Sequence, residues 1–188
     1  MKRLNNRGNN KRVYLLGPAT VTAVLGLTLS ACTDSEPERE YKIPSALCGT
    51  PVSPTLLEPA LPPGKEITIS TKPLITRKRC IVSVDGNQVF SVITSWRSEG
   101  TTVTEVAAGQ PFVKLDNVVT KDGRYAYSDR GAVGKVHCAN PSMEFRKESQ
   151  LFVQFLTNVK AKESETKDLI TGLAKAVAES DECTHKNN

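Results

Sequence analysis

Five cysteines and two histidines are the residues of this chain whose types could carry nucleophilic, redox or metal chemistry. Nucleophilic catalysis needs a base beside its serine or cysteine. His185 lies in the terminal tail, where order is rare. His137 adjoins Cys138 in a predicted strand, so the two side chains should point to opposite faces. No G-x-S-x-G serine signature is present. A phosphate loop also fails, because Gly134-Lys135 is followed by Val136 where magnesium would need a hydroxyl, and Asp129 stands in the place of the first glycine. Paired carboxylates could hydrolyse glycosides, but Glu36, Glu38 and Glu40 share one polar stretch and Asp181-Glu182 closes a helix. Cys48, Cys80, Cys138 and Cys183 contain no C-x-x-C pair, which argues against zinc. The expectation is therefore no catalytic residue, no metal and no cofactor.

Cys32 stands apart, directly after an apolar run. Lys2, Arg3, Arg7, Lys11 and Arg12 make the first twelve residues basic, and Val13 to Leu29 is apolar, interrupted by Gly17-Pro18 and Gly26. This is the order of an export signal. A permanent membrane span is the weaker reading, since the run is near the lower length limit and carries a proline early. Leu29-Ser30-Ala31-Cys32 resembles a bacterial lipobox, and that resemblance implies cleavage after Ala31 and a diacylglyceryl thioether, with acyl chains such as palmitate, on Cys32. No Arg-Arg pair is present, which favours export of the unfolded chain. The boundaries expected are a signal peptide at 1–31, a flexible tether at 32–44, one domain at 45–184 and a tail at 185–188. The address is then the cell membrane, lipid-anchored on its extracytoplasmic face.

Removal of residues 1–31 also changes the electrostatics. The chain has 25 Lys and Arg against 20 Asp and Glu, and all of the excess lies in the signal, so the remainder has 20 of each. Nucleic-acid binding leans on phosphate neutralisation, and a formally neutral domain lacks that footprint. About 157 residues suit one domain with a modest core. In an oxidising compartment the four remaining cysteines read as two disulfides. Three pairings are open to them. Cys48 with Cys80 and Cys138 with Cys183 is preferred, because each bridge then ties a terminal element to a predicted strand.

The elements that must hold these residues follow from periodicity. Ser53-Pro54 reads as a helix start, with Leu56, Leu57 and Leu61 on one face and Pro62-Pro63-Gly64 as its stop. Ile67 and Ile69 alternate in one strand, and Cys80, Val82 and Val84 in the next. Asp85-Gly86-Asn87 predicts a hairpin turn into Val89 to Trp96, with Phe90, Val92 and Trp96 on one side. Thr101 to Ala108 is open between a short helix ended by Gly109 and a loop. Lys121-Asp122-Gly123 marks a turn, Gly131 to Cys138 a strand, and Leu151 to Thr157 another with Leu151, Val153 and Phe155 on one face. From Ser164 to Ser180 the period becomes helical, with Leu169, Ile170, Leu173 and Val177 in line. The fold class expected is α+β: an antiparallel or mixed sheet with helices packed on one face and two disulfides. A contact surface is suggested by Arg124, Tyr125, Tyr127 and Arg130 between Gly123 and Gly131, and by Trp96, because Tyr, Trp and Arg are enriched at binding hot spots.

Taken together, the lipobox, Ile43-Pro44 running into Leu47-Cys48-Gly49, Leu61-Pro62-Pro63-Gly64, Arg79-Cys80 with Val82-Ser83-Val84-Asp85-Gly86, Gly131 to Val136, and Ala176-Val177 before Cys183 resemble uncharacterised cell-surface lipoproteins of actinobacterial type. The resemblance implies the location and the disulfides. It brings no reaction and no site residue. The function expected is a non-catalytic binding or interaction module at the membrane, held there by the lipid on Cys32, with a partner protein, an envelope component or a small apolar ligand, and no nucleic acid, as what it binds. A cell-envelope hydrolase and a structural or assembly subunit are the alternatives.

Overall fold

Residues 38–74, 77–110, 119–138 and 149–183 are described by the computed structural model. In chain order they form β1 (Ala46–Leu47), β2 (Thr50–Pro51), α1 (Pro54–Leu57) continued by a 3-10 turn at Glu58–Ala60, β3 (Ile67–Leu74), β4 (Arg77–Val84), β5 (Asn87–Ser98), α2 (Val103–Ala108), β6 (Tyr125–Ser128), β7 (Gly131–Val136), β8 (Ser149–Thr157) and α3 (Glu163–Ala178). They fall within one compact unit, Ser35–Asn188; a second unit, Met1–Asp34, lies outside the described residues. The lipobox, residues 32–37 of the expected tether and His185 lie outside them too.

β1 and β2 form a small hairpin, and the other strands form one antiparallel sheet in the order β3-β4-β5-β8-β7-β6. Two three-stranded meanders therefore meet at the centre, where β5 and β8 pair from Phe90↔Thr157 to Ser98↔Ser149. The turn between β4 and β5 has φ of 49° at Asp85 and 78° at Gly86. Those two left-handed residues are what a tight hairpin of right-twisted strands requires. The Asp85 carboxylate then accepts the backbone N–H groups of Lys65 and Glu66 at 3.0 and 2.9 Å, which aligns the start of β3.

Alternation sends Cys80, Val82, Phe90, Val92, Leu151, Val153 and Phe155 to one face, where Leu169, Ile170, Leu173 and Val177 of α3 meet them. The Phe90 and Phe155 rings lie 5.3 Å apart and tilted, a geometry that contributes about 0.5–1.5 kcal/mol beyond their burial. Gly134 lets α3 settle here, since a Cβ at that position would stand 3.2 Å from both Ile170 and the Tyr125 ring. The fold is α+β with an antiparallel sheet and two disulfides, Cys48–Cys80 and Cys138–Cys183.

Three features go beyond or differ from the sequence expectations. α2 adds cover on the opposite face, packing Val103, Val106 and Ala107 against Ala126, Val133 and Phe152, the residues that alternate with those under α3. Arg39, within the stretch 32–44 expected to be a flexible tether, is docked on the domain: it bridges Gly64, donates to the Leu61 carbonyl at 2.6 Å and pairs with Glu58 at 3.5 Å. Tyr41 is buried and its hydroxyl donates to the Pro62 carbonyl. The two-proline stop of α1 is thus also a docking ledge, a use of those carbonyls that composition does not reveal. Finally, β7 ends at Val136, so His137 and Cys138 lie just past the strand. Cys138 has to leave the ladder to reach Cys183 beyond α3, with the Cα atoms 5.0 Å apart.

Candidate functional site

The turn of the β1–β2 hairpin is Cys48-Gly49, with φ of 48° and 90°. A residue with a Cβ is uncommon there, and the turn sets Cys48 against Cys80 on β4, with Cα atoms 5.8 Å apart. Between this hairpin, the β4–β5 strands and the C-terminal turns of α3 lies a narrow crevice of about 20 Å³, room for roughly one water molecule or a methyl-sized group. Its apolar walls are Leu47, the Cys48 and Cys80 side chains, Val92, Leu173 and Val177; Thr50 and Thr94 add hydroxyls. Both disulfides position it. Cys48–Cys80 fastens the hairpin wall to the sheet, and Cys183, one residue after the lining Glu182, fastens the end of the helix wall to Cys138.

Lys78 and Glu182 line the same crevice and pair at 3.7 Å, with side chains 34% and 23% exposed. Partly exposed pairs of this kind contribute about 1 kcal/mol or less, so separating them is easy. The lining contains no histidine, its sulfurs are oxidised and its carboxylate faces a lysine. Such a surface can hold apolar matter, and it has no nucleophile with a base.

The residues singled out as a contact surface do not converge. Trp96 pairs with Leu151 near the sheet centre and is half-buried against the main core. Tyr125 and Tyr127 lie on β6, with β8 and β7 between them and β5, about 14 Å across the ladder. Both tyrosines are half-buried against the core; the Lys167 ammonium lies 6.0 Å from the Tyr127 ring and the Arg124 guanidinium 5.6 Å from that of Tyr125. Arg130 is exposed beyond the end of the strand, its N–H donating to the Ser128 hydroxyl at 3.2 Å. Sequence reasoning missed the crevice, which is built from four separate elements. Its one legible trace was the choice of disulfide partners.

His137 is exposed and lines a polar groove with Asp122, Arg124, Lys135 and Gln150. Asp122 is committed elsewhere: its carboxylate accepts the Thr120 hydroxyl at 2.5 Å and the Arg124 N–H at 3.1 Å. These bonds, the hydroxyl first, hold its carboxyl below the usual aspartate range. The stabilisation of this turn is present above about pH 4, the ordinary value, and is lost as pH falls through the lowered one. Amide hydrogen exchange should show it: Arg124 is expected to stay protected at neutral pH and to lose protection on acidification below the ordinary carboxylate range. Protection independent of pH would refute the assignment. Among the described residues no three His, Cys, Asp or Glu are placed to hold a metal, and no helix is long and apolar enough to cross a membrane.

The chain is thus a disulfide-stapled α+β domain of two meanders, with an apolar crevice under its terminal helix. No family model, curated protein or solved structure matches it.

Proposed function

We propose that this protein is a lipid-anchored extracytoplasmic lipoprotein whose domain binds an apolar ligand, such as the end of an acyl chain, without transforming it. The observation that carries the binding role is the crevice whose two walls are each fastened by a disulfide. Walls held in place by disulfides lower the ordering cost of binding. The anchor rests on the pattern of Leu29, Ser30, Ala31 and Cys32 after a basic and apolar leader.

Trp96 is the single tryptophan of the chain and follows Val92 and Thr94 on the same face of β5. It is therefore a built-in reporter about 7 Å along the strand from the lining hydroxyl of Thr94. Titration of the full chain with palmitate below its micellar concentration is expected to change Trp96 emission saturably. Thr50→Trp adds a second indole, so for that variant the readout is retention of radiolabelled palmitate, expected to fall at least about tenfold, which corresponds to about 1.4 kcal/mol. Absence of saturable binding to the wild-type protein would end the proposal, as would unchanged retention by the variant.

A further inference from the structure

β3 is an open edge of the sheet. Among the described residues it pairs with β4 on one side alone, and Thr68, Ile69, Ser70, Thr71, Lys72 and Pro73 are all exposed. Its ladder with β4 runs without a register shift from Ile67↔Val84 to Leu74↔Arg77. Which backbone groups face outward follows from one bond. The Asp85 N–H donates to the Glu66 carbonyl at 2.9 Å, so residue 66 faces β4 and, by alternation, so do Thr68, Ser70 and Lys72. The N–H and C=O groups of Ile67, Ile69 and Thr71 then point away from the sheet. Pro73 falls in the same outward set, where its missing N–H costs the ladder nothing and marks where further pairing must stop.

Such an edge is a template for another strand, and its charges say which. Glu66 lies at one end beside Asp85, and Lys72 at the other, directly across from Arg79. Neither Glu66 nor Lys72 forms an ion pair among the described residues. An antiparallel copy of β3 centred on Ile69 sets Ile69 against Ile69 of the second copy, Ile67 against Thr71, Thr68 against Ser70, and Lys72 against Glu66. Every outward N–H and C=O of Ile67, Ile69 and Thr71 gains a partner in that register. Ile69, an exposed large apolar residue at 37%, is covered by its own equivalent. Lys72 and Glu66 become a pair without mutual hydrogen bonds, the antiparallel position where side chains approach most closely. Lysine at an edge ordinarily discourages pairing; here it selects the one register that supplies a carboxylate.

We infer that the outer edge of β3 is a self-pairing site through which two copies of this chain join into one continuous antiparallel sheet about a two-fold axis at Ile69. The arrangement is isologous and closed, so it stops at the dimer.

Native mass spectrometry of the full-length protein released from a non-ionic micelle, over a series of micromolar concentrations, tests it. A dimer is expected for the wild type. Lys72→Glu turns both ion pairs into like-charge pairs and should weaken the dimer at least about tenfold. Glu66→Lys combined with Lys72→Glu should restore it. Thr71→Pro removes an outward donor while leaving the ladder to β4 intact, so it should give a monomer whose far-ultraviolet dichroism matches the wild type and whose melting midpoint no longer depends on protein concentration. A wild type that is monomeric throughout would overturn the inference, as would a dimer indifferent to Lys72→Glu or to Thr71→Pro, or a double reversal that fails to recover.

Discussion

Replacing Cys138 and Cys183 together by alanine is expected to destabilise the domain by about 4 kcal/mol, the value the chain-entropy model assigns to a bridge closing a loop of this size. The two cysteines are 45 residues apart in sequence, and the loop they close contains β8 and all of α3. Cys183 is 2% exposed, so the substitution also removes buried sulfur from the end of the main core. Against a total stability of about 5–15 kcal/mol for a domain, the loss lowers the folded-to-unfolded ratio about a thousandfold. Urea denaturation followed by dichroism checks this: the midpoint should fall and the slope should rise, since the unfolded chain freed of its cross-link exposes more surface. The Cys48–Cys80 bridge, whose partners are 32 residues apart in sequence, should contribute nearly as much. Its removal should also release the β1–β2 hairpin wall of the crevice and weaken retention of apolar ligand. A midpoint unmoved by either double substitution would mean that the bridges contribute no stability.

Cys32→Ala is expected to release the protein from the membrane fraction entirely. The effect should be nearly all-or-none, because one myristoyl chain gives an association constant of only about 10⁴ M⁻¹ while each further methylene adds about 0.8 kcal/mol, so that a two-chain anchor is stable and its absence leaves nothing comparable. Fractionation combined with labelling by an alkyne fatty acid is the measurement. Wild-type protein should carry label and sediment with membranes; the variant should carry none. Label retained by the variant would refute Cys32 as the lipid attachment site, and the lipoprotein reading with it.

Where the chain's own chemistry was local, sequence sufficed. Asp85-Gly86 dictates a tight hairpin because few other residue pairs accept two positive φ values in succession, and both adopt them. The spacing of Leu169, Ile170, Leu173 and Val177 dictates a helix with one buried face, and all four are buried. α2 was also readable: Thr102 and Glu105 have the spacing of a capping box, and the Glu105 carboxylate does accept the Thr102 N–H at 2.7 Å while the Thr102 hydroxyl accepts that of Glu105 at 3.2 Å. Weighing that signature would have decided between helix and loop for Thr101 to Ala108.

What the sequence by itself determined, then, is β3, β4, β5, β7, β8, α1 and α3, which face of each is apolar, the α+β class and a preference for the cysteine pairing that the fold adopts. These follow from periodicity and backbone preference within a few residues. The tertiary structure alone decided that β5 meets β8 and joins two meanders, that Arg39 and Tyr41 dock on the Leu61-Pro62 carbonyls, that Trp96 lies strands away from Tyr125 and Tyr127, and that Leu47, Val92 and Val177 face one crevice. Each of those pairs residues far apart in the chain, where local propensity is silent and the choice belongs to competition among all the apolar faces for one core.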